Sequence, residues 1–152
     1  MIFNEKTQYM KNLLIYTAVI LSVILLSCGK EDIKPTSPEI KSGGLIVYEI
    51  DGHGLVVTAK EIGFMNWQDA SNTCDTLVLN GYDDWYLPTK DELNQVYSMF
   101  KKTGNGILNG CYWSSTKSNN GVGHCIQLFF DGMQMEDPND GNKYIIRAVR
   151  VF

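Results

Sequence analysis

Gly81-Tyr82-Asp83-Asp84-Trp85-Tyr86-Leu87-Pro88-Thr89-Lys90-Asp91-Glu92-Leu93 decides the fold, because this stretch carries a turn, an aromatic suited to burial and a helix start. Gly81 followed by two aspartates is turn chemistry, and Trp85 and Leu87 alternate with Tyr86 as one face of a short extended piece does. Pro88 forces Leu87 out of the helical region. Thr89 to Glu92 then has the S/T-x-x-E form in which each side chain caps the other's backbone amide. A helix is predicted from Lys90 to about Phe100, with Leu93, Val96, Tyr97 and Phe100 on one stripe facing a core that Trp85 helps fill.

Working outward, 152 residues make room for one domain of ordinary size. Three tryptophans, eight tyrosines and six phenylalanines are enough for a core. A net charge of −4 and a pI near 5.1 leave no basic stripe to neutralise phosphates, so nucleic acid is excluded as an expected partner. Fourteen glycines against four prolines favour a fold rich in tight turns over a helical bundle.

Upstream, Met10-Lys11-Asn12 precedes an apolar run from Leu13 to Leu26. Such a run is too short to span ~30 Å of hydrocarbon at ~1.5 Å per residue, so a signal sequence starting at Met10 is expected rather than a membrane helix. The run ends in Leu25-Leu26-Ser27-Cys28-Gly29, which resembles the bacterial lipobox, with Cys28 as the lipidated residue. Lys30-Glu31-Asp32 is similar to the signal that sends some lipoproteins of the Bacteroidetes group to the outer face of the outer membrane. The organisation expected is therefore leader 1–27, lipidated cysteine and linker 28–43, and domain 44–152. This places the protein in the cell envelope, tethered to the outer membrane and exposed at the surface.

Within the domain, Leu45–Ile50 and Leu55–Ala59 flank Asp51-Gly52-His53-Gly54 and read as a β-hairpin, with His53 a solvated turn residue. Asn66 can cap a first helix from Trp67 to Leu77. After the helix at Lys90, Lys101-Lys102-Thr103-Gly104 is a helix end, and only strands and loops follow. The strands expected are Cys111–Thr116, His124–Phe130, Met133–Met135 and one closing strand from Tyr144 to Phe152. The fold class is α+β, mostly antiparallel, with two helices.

Four blocks now stand in order: 81–93, Tyr112-Trp113-Ser114-Ser115-Thr116, Phe129-x-Asp131-Gly132 and Arg147-Ala148-Val149-Arg150-Val151-Phe152. Together they resemble the C-terminal domain family of bacterial collagen-like proteins, the Lcl C-terminal family, over residues 44–152. The resemblance implies a C-type-lectin-like fold, distantly shared with formylglycine-generating enzymes and with ligand-display domains of bacteria and phage. It also implies that Trp85, Leu87, Trp113 and Phe129 are core, and that Arg147 and Arg150 tie loops by hydrogen bonds.

Three cysteines remain beside Cys28. Cys111 and Cys125 sit on strands expected to be neighbours and could pair, with Cys74 joined to either as the alternative. Lectin-like relatives often tie the first helix to the last strand, but Ala148 stands where they carry the second cysteine. No cysteine is surrounded by the motif of the formylglycine-generating relatives, and Ser114, Ser115, His124 and Asp131 lack the nucleophile elbow of a hydrolase. An enzyme is therefore not expected.

Glu136-Asp137-Pro138-Asn139-Asp140-Gly141-Asn142 is the densest set of oxygen ligands, and Glu136, Asp137, Asn139 and Asp140 are the calcium candidates. The same residues build any surface turn, and the turn reading is favoured, so no cofactor is expected. The ligand-binding candidates are Asn119, Asn120, His124, Gln127, Gln134, Asp137, Asn139, Asp140 and Asn142, with the exposed members of Tyr112, Phe130 and Tyr144. They are expected to converge because loops 103–110, 117–124 and 131–143 should meet at one end. A lipid-anchored module that binds a glycan or a protein is the function expected. A structural subunit of an envelope assembly is the alternative, and a formylglycine-generating-like enzyme the least favoured reading.

Overall fold

Three two-residue turns, each needing two positive φ angles, shape the first half of the domain. Ser42-Gly43 (φ 48° and 86°), Asp51-Gly52 (51° and 84°) and Asn80-Gly81 (55° and 84°) all adopt this backbone. It is the type I′ geometry, whose twist matches that of paired strands. The first turn closes β1 (Ile40–Lys41) on β2 (Gly44–Ile50), and the second closes β2 on β3 (His53–Val57). The third joins Leu79 to Tyr82 through backbone bonds of 2.9 and 3.1 Å. The turn of the opening motif therefore spans Leu79–Tyr82 with Asn80-Gly81 at its corners, two residues ahead of the Gly81-Tyr82-Asp83-Asp84 expected, because asparagine and glycine tolerate the left-handed region.

The computed structural model describes residues 38–104 and 109–152. Met10, Cys28 and Lys30-Glu31-Asp32 lie outside the described residues, as does Asn105. After β3 come β4 (Gly63–Met65), α1 (Trp67–Asp75), α2 (Lys90–Thr103), β5 (Cys111–Lys117), β6 (His124–Leu128), β7 (Gln134–Asp137), β8 (Tyr144–Ile146) and β9 (Val149–Val151). They form a four-stranded sheet, β1-β2-β3-β9, and a five-stranded sheet, β4-β8-β5-β6-β7. Every pairing is antiparallel except the contact of Tyr112 in β5 with Ile145 in β8. The class is α+β with a mostly antiparallel architecture, as the sequence predicts.

Both helix starts follow their caps. Asn66 accepts from the Asp69 amide, and Thr89 and Glu92 form the reciprocal box, with Thr89 N donating to Glu92 Oε2 at 2.8 Å. Tyr86 donates to the other oxygen of Glu92 at 2.7 Å, which fastens the strand before Pro88 to the helix after it. α1 stops at Asp75, short of Leu77, where Thr76 turns its amide and hydroxyl back onto Asn72 O. α2 runs past Phe100 to Thr103, and Gly104 caps it at φ 64°.

Two expectations need correction. The segment read as linker already contains β1, which pairs with β2, so the sheet begins at Ile40 and not at Gly44. The closing strand predicted as continuous from Tyr144 to Phe152 is two strands in different sheets, broken at Arg147-Ala148. Thr58 N donates to Ala148 O and Ile62 N to Ile146 O, so the break is itself hydrogen-bonded and passes the chain from one sheet to the other.

The hydrophobic core lies in two clusters, one under each helix. Leu55, Val57, Tyr112, Phe129 and Val149 pack with Leu93, Val96 and Phe100 of α2. Val56, Trp85, Leu87, Trp113, Ile126 and Ile146 pack with Ala70 and Cys74 of α1. Alternate residues of β3 and of β5 thus enter opposite clusters, which is why Leu55-Val56-Val57 reads as an unbroken apolar run. Trp85, Leu87, Trp113 and Phe129 are all buried, as the family resemblance implies. Each indole also reaches a carbonyl: Trp67 donates to Ser114 O, Trp85 to Leu79 O and Trp113 to Met65 O.

Arg150 ties the opening motif to the last strand. Its Nε and Nη2 donate to the two oxygens of Asp84 at 2.6 and 2.8 Å, its Nη1 donates to Ser42 O at 2.9 Å, and its guanidinium lies 3.8 Å from the Tyr82 ring. The hydrogen bond from Arg150 holds the Asp84 carboxyl below its ordinary value. Arg150→Lys keeps the charge but loses the fork and the stacking, and is expected to cost about 2 kcal/mol in denaturant unfolding. A loss no larger than that of an exposed Arg→Lys control would refute this role.

Candidate functional site

The loops do not converge as expected; they divide between the two ends of the five-stranded sheet. Cys111 pairs with Leu128, so the turn 129–133 and the residues before β5 lie at one end, where Phe129 N donates to Gly110 O. The turn 118–123 and the loop 138–143 lie at the other, beside the N-terminus of α1.

At this second end the sequence supplies short polar side chains, and the fold spends them on its own backbone. Ser118 Oγ bonds to Asn120 Oδ1 and to the Val122 carbonyl, and Asn120 Oδ1 also accepts from Val122 N at 2.9 Å. Asn119 donates through its backbone N (3.1 Å) and Nδ2 (2.6 Å) to Glu136 Oε1. Gly123 has φ +77°, and a Cβ there would stand 1.9 Å from Asp137 O, so only glycine fits between the loops.

Asp137 is the hub of the second loop. Its Oδ1 accepts from Asn139 N at 2.8 Å, and its Oδ2 accepts from Asn142 Nδ2 at 2.8 Å and Tyr144 Oη at 2.7 Å. Burial alone raises its pKa, but the bonds from Asn142, Asn139 and Tyr144 outweigh it and hold the carboxyl below its ordinary value. Burial and the same bond push Tyr144 up to about 12. Asn139 Oδ1 accepts from Gly141 N, closing the turn.

His124 joins this loop to α1. Its ring stacks on Trp67 with centroids 3.5 Å apart, and Nδ1 lies 2.8 Å from Asp140 Oδ1, while Asp140 O accepts from Trp67 N at 3.0 Å. His124 Nε2 is buried with no hydrogen-bond partner among the described residues.

The candidate ligand residues therefore separate. Asn119, Asn120, His124, Asp137, Asn139, Asp140 and Asn142 come together at one end, but as the scaffold of two loops. Gln127 is fully buried and Gln134 reaches inward: Gln127 Nε2 donates to Asn94 Oδ1, and Gln134 Nε2 donates to Gln127 Oε1 and Lys90 O. These bonds hold β6 and β7 against α2; the buried Gln127 is thereby corrected as a ligand candidate, while Gln134 remains exposed. Tyr112 is buried and donates to Glu61, Tyr144 is committed to Asp137, and Phe130 alone of the three aromatics stands exposed.

The calcium set does not converge either. Glu136 turns to Asn119, Asp137 to Asn142 and Tyr144, and Asp140 to His124. Among the described residues no three His, Cys, Asp or Glu side chains gather as a metal site. The Cys111–Cys125 disulfide is also corrected. Cys111 faces Leu128, three residues from Cys125, so the two thiols point to opposite faces and their Cα atoms are ~10 Å apart along the strand, beyond disulfide reach. Among the described residues Cys74, Cys111 and Cys125 form no disulfide, and burial raises all three thiols, Cys74 to about 12.

Sequence reasoning missed the concavity that the fold creates. A groove of about 600 Å³ opens between β2 and α2, floored by Val47 and Met99 and edged by Tyr48, Ile50, Gln95 and Lys102. Its size is that of a small-molecule or side-chain pocket. Tyr48 is partly exposed, and the Gln95 amide and Lys102 ammonium supply donors beside an apolar floor. In the sequence, these residues belong to a strand and a helix whose docking angle no periodicity gives.

Asp137→Asn replaces an oxygen that accepts two bonds with a donor and is expected to destabilise the domain by about 1–3 kcal/mol. The folded carboxyl is the stronger acid, so the stabilisation is present above pH 3.8 and lost as pH falls through the lower folded value. In urea unfolding the deficit of the Asn variant should therefore be full above pH 3.8 and shrink as pH falls, because asparagine has no carboxyl to protonate. Unchanged acid and urea midpoints would contradict the hub role.

No characterised protein sequence matches the chain closely enough to count as a relative. The sequence profile of the Lcl C-terminal domain family matches residues 51–150. That span begins at the β2–β3 turn and ends on Arg150, taking in both helices, both core clusters and the Arg150–Asp84 clamp. The chain belongs to the Lcl C-terminal domain family.

Proposed function

We propose that this protein is a ligand-binding module that performs no catalysis, and that its ligand is a glycan or a protein. The observation that carries the proposal is the groove between β2 and α2, where an exposed tyrosine and an amide and ammonium edge border an apolar floor. An aromatic face beside a few directed donors is the composition that sugar and peptide sites share. Absence of catalysis is supported by the thiols, which burial keeps protonated, and by Ser114, whose buried hydroxyl donates to Cys125 O. Calcium is not required on this reading.

The fold is proposed to be C-type-lectin-like. The order of a hairpin, two helices and an antiparallel set whose last strand returns to the hairpin supports it. Export and attachment to the outer membrane through Cys28, with the domain displayed at the cell surface for adhesion, rest on the apolar run and Leu25-Leu26-Ser27-Cys28 in the sequence. The alternative, a structural subunit of an envelope assembly, would use the same groove for a neighbouring protein.

Binding to immobilised cell-wall and host glycans, with and without calcium, tests the reading. Tyr48→Ala and Lys102→Ala are each expected to weaken the captured interaction about tenfold, roughly 1.4 kcal/mol, while thermal unfolding is unchanged. Binding that survives both substitutions would move the site away from the groove. Capture of proteins alone, with no glycan retained, would favour the envelope-assembly alternative.

A further inference from the structure

β7 is the outer edge of the five-stranded sheet, and its hydrogen-bonding pattern fits a second copy of itself. Leu128 N donates to Met133 O at 2.8 Å, which makes 128–133 a hydrogen-bonded pair of the β6–β7 ladder. Antiparallel pairs alternate, so the register Gln127↔Gln134, Ile126↔Met135 and Cys125↔Glu136 leaves the N–H and C=O of Gln134 and Glu136 aimed away from β6. Among the described residues no strand covers that edge.

We propose that two copies of this chain pair through β7, antiparallel, about a two-fold axis at Met135. Three symmetric registers bring outward groups together, and charge selects one of them. Centring on Glu136 sets that carboxylate against its own copy, and centring on Gln134 leaves Glu136 opposite the Gly132 turn. Centring on Met135 pairs Gln134 with Glu136 of the second copy, satisfies all four outward backbone groups on each edge, and places Asp137 opposite Met133. Met135 then meets Met135 as a non-hydrogen-bonded pair, whose Cβ atoms stand ~5 Å apart. Met133, Met135 and Phe130 are exposed apolar residues along this edge and its turn, at 56%, 47% and 62%. Pairing covers an edge that otherwise templates uncontrolled association.

A strand of four residues buries less than the ~1,200 Å² of a standard stable interface, so the pairing strengthens with local concentration, as on a crowded surface. The inference stands independently of the groove.

Oxidative crosslinking of the full chain in mild detergent tests it. Met135→Cys is expected to give a disulfide-linked dimer joined at position 135 on both chains, read by peptide mass mapping, with yield rising with protein concentration. Gln134→Cys, whose two copies are offset along the strands, is expected to crosslink poorly. Glu136→Pro removes the outward N–H, together with the carboxylate that accepts from Asn119, and should abolish crosslinking in the Met135→Cys background of a chain that still unfolds cooperatively. Equal crosslinking from positions 134 and 135, or none from 135 in a folded chain, overturns the proposal, and this comparison decides it even if the proline variant does not fold.

Discussion

The segment from Tyr144 to Phe152 is the constraint on which the structure depends, because its backbone hydrogen bonds belong to both sheets. β8 pairs with β4 and touches β5, and two residues later β9 pairs with β3. Between them Ala148 O and Ile146 O accept amides from Thr58 and Ile62, while Tyr86 and Val149 exchange bonds at 2.9 Å. Neither of these two carbonyls can be moved without unpairing the Thr58 or the Ile62 amide, and an unpaired buried amide costs more than a typical hydrogen bond contributes. The two helices can then lie on fixed frames, each over its own cluster.

The arginines on this segment extend the same logic to the loops. Arg147 donates to Thr58 O and lies 4.8 Å from the Phe100 ring, and Arg150 holds Asp84 and Ser42. One strand end therefore binds the C-terminal part of α2, the β1–β2 turn and the turn ahead of Trp85. A planar guanidinium suits this because its donors point in fixed, divergent directions.

Function and scaffold compete for the same residue types in such a domain. Asparagine, aspartate and glycine are what a sugar site needs and what a tight turn needs, and at the 118–123 and 138–143 end the turns take nearly all of them. Asp137 shows the balance: both of its oxygens answer donors of the loop and of Tyr144, three bonds in all, before any ligand is considered. The groove under Tyr48 is different, since its polar groups edge a cavity instead of closing a turn.

What the sequence determined by itself was local and periodic. The box at Thr89 and Glu92, the cap at Asn66, the Asp51-Gly52 turn and the helix stripe through Leu93, Val96 and Phe100 all depend on residues close in the chain or on a fixed spacing, whereas the burial of Trp85, Leu87, Trp113 and Phe129 was legible as a set through the family resemblance. Tertiary structure decided what depends on register and on the meeting of distant segments. The division of 144–152 between sheets, the three-residue offset of Cys111 from Cys125, the inward turn of Gln127, the parting of the loops to two ends and the groove between β2 and α2 are of this kind. The physical reason is that a strand's period of two says which residues share a face but not which strand lies alongside or where it starts, and a one-residue slip exchanges core for surface.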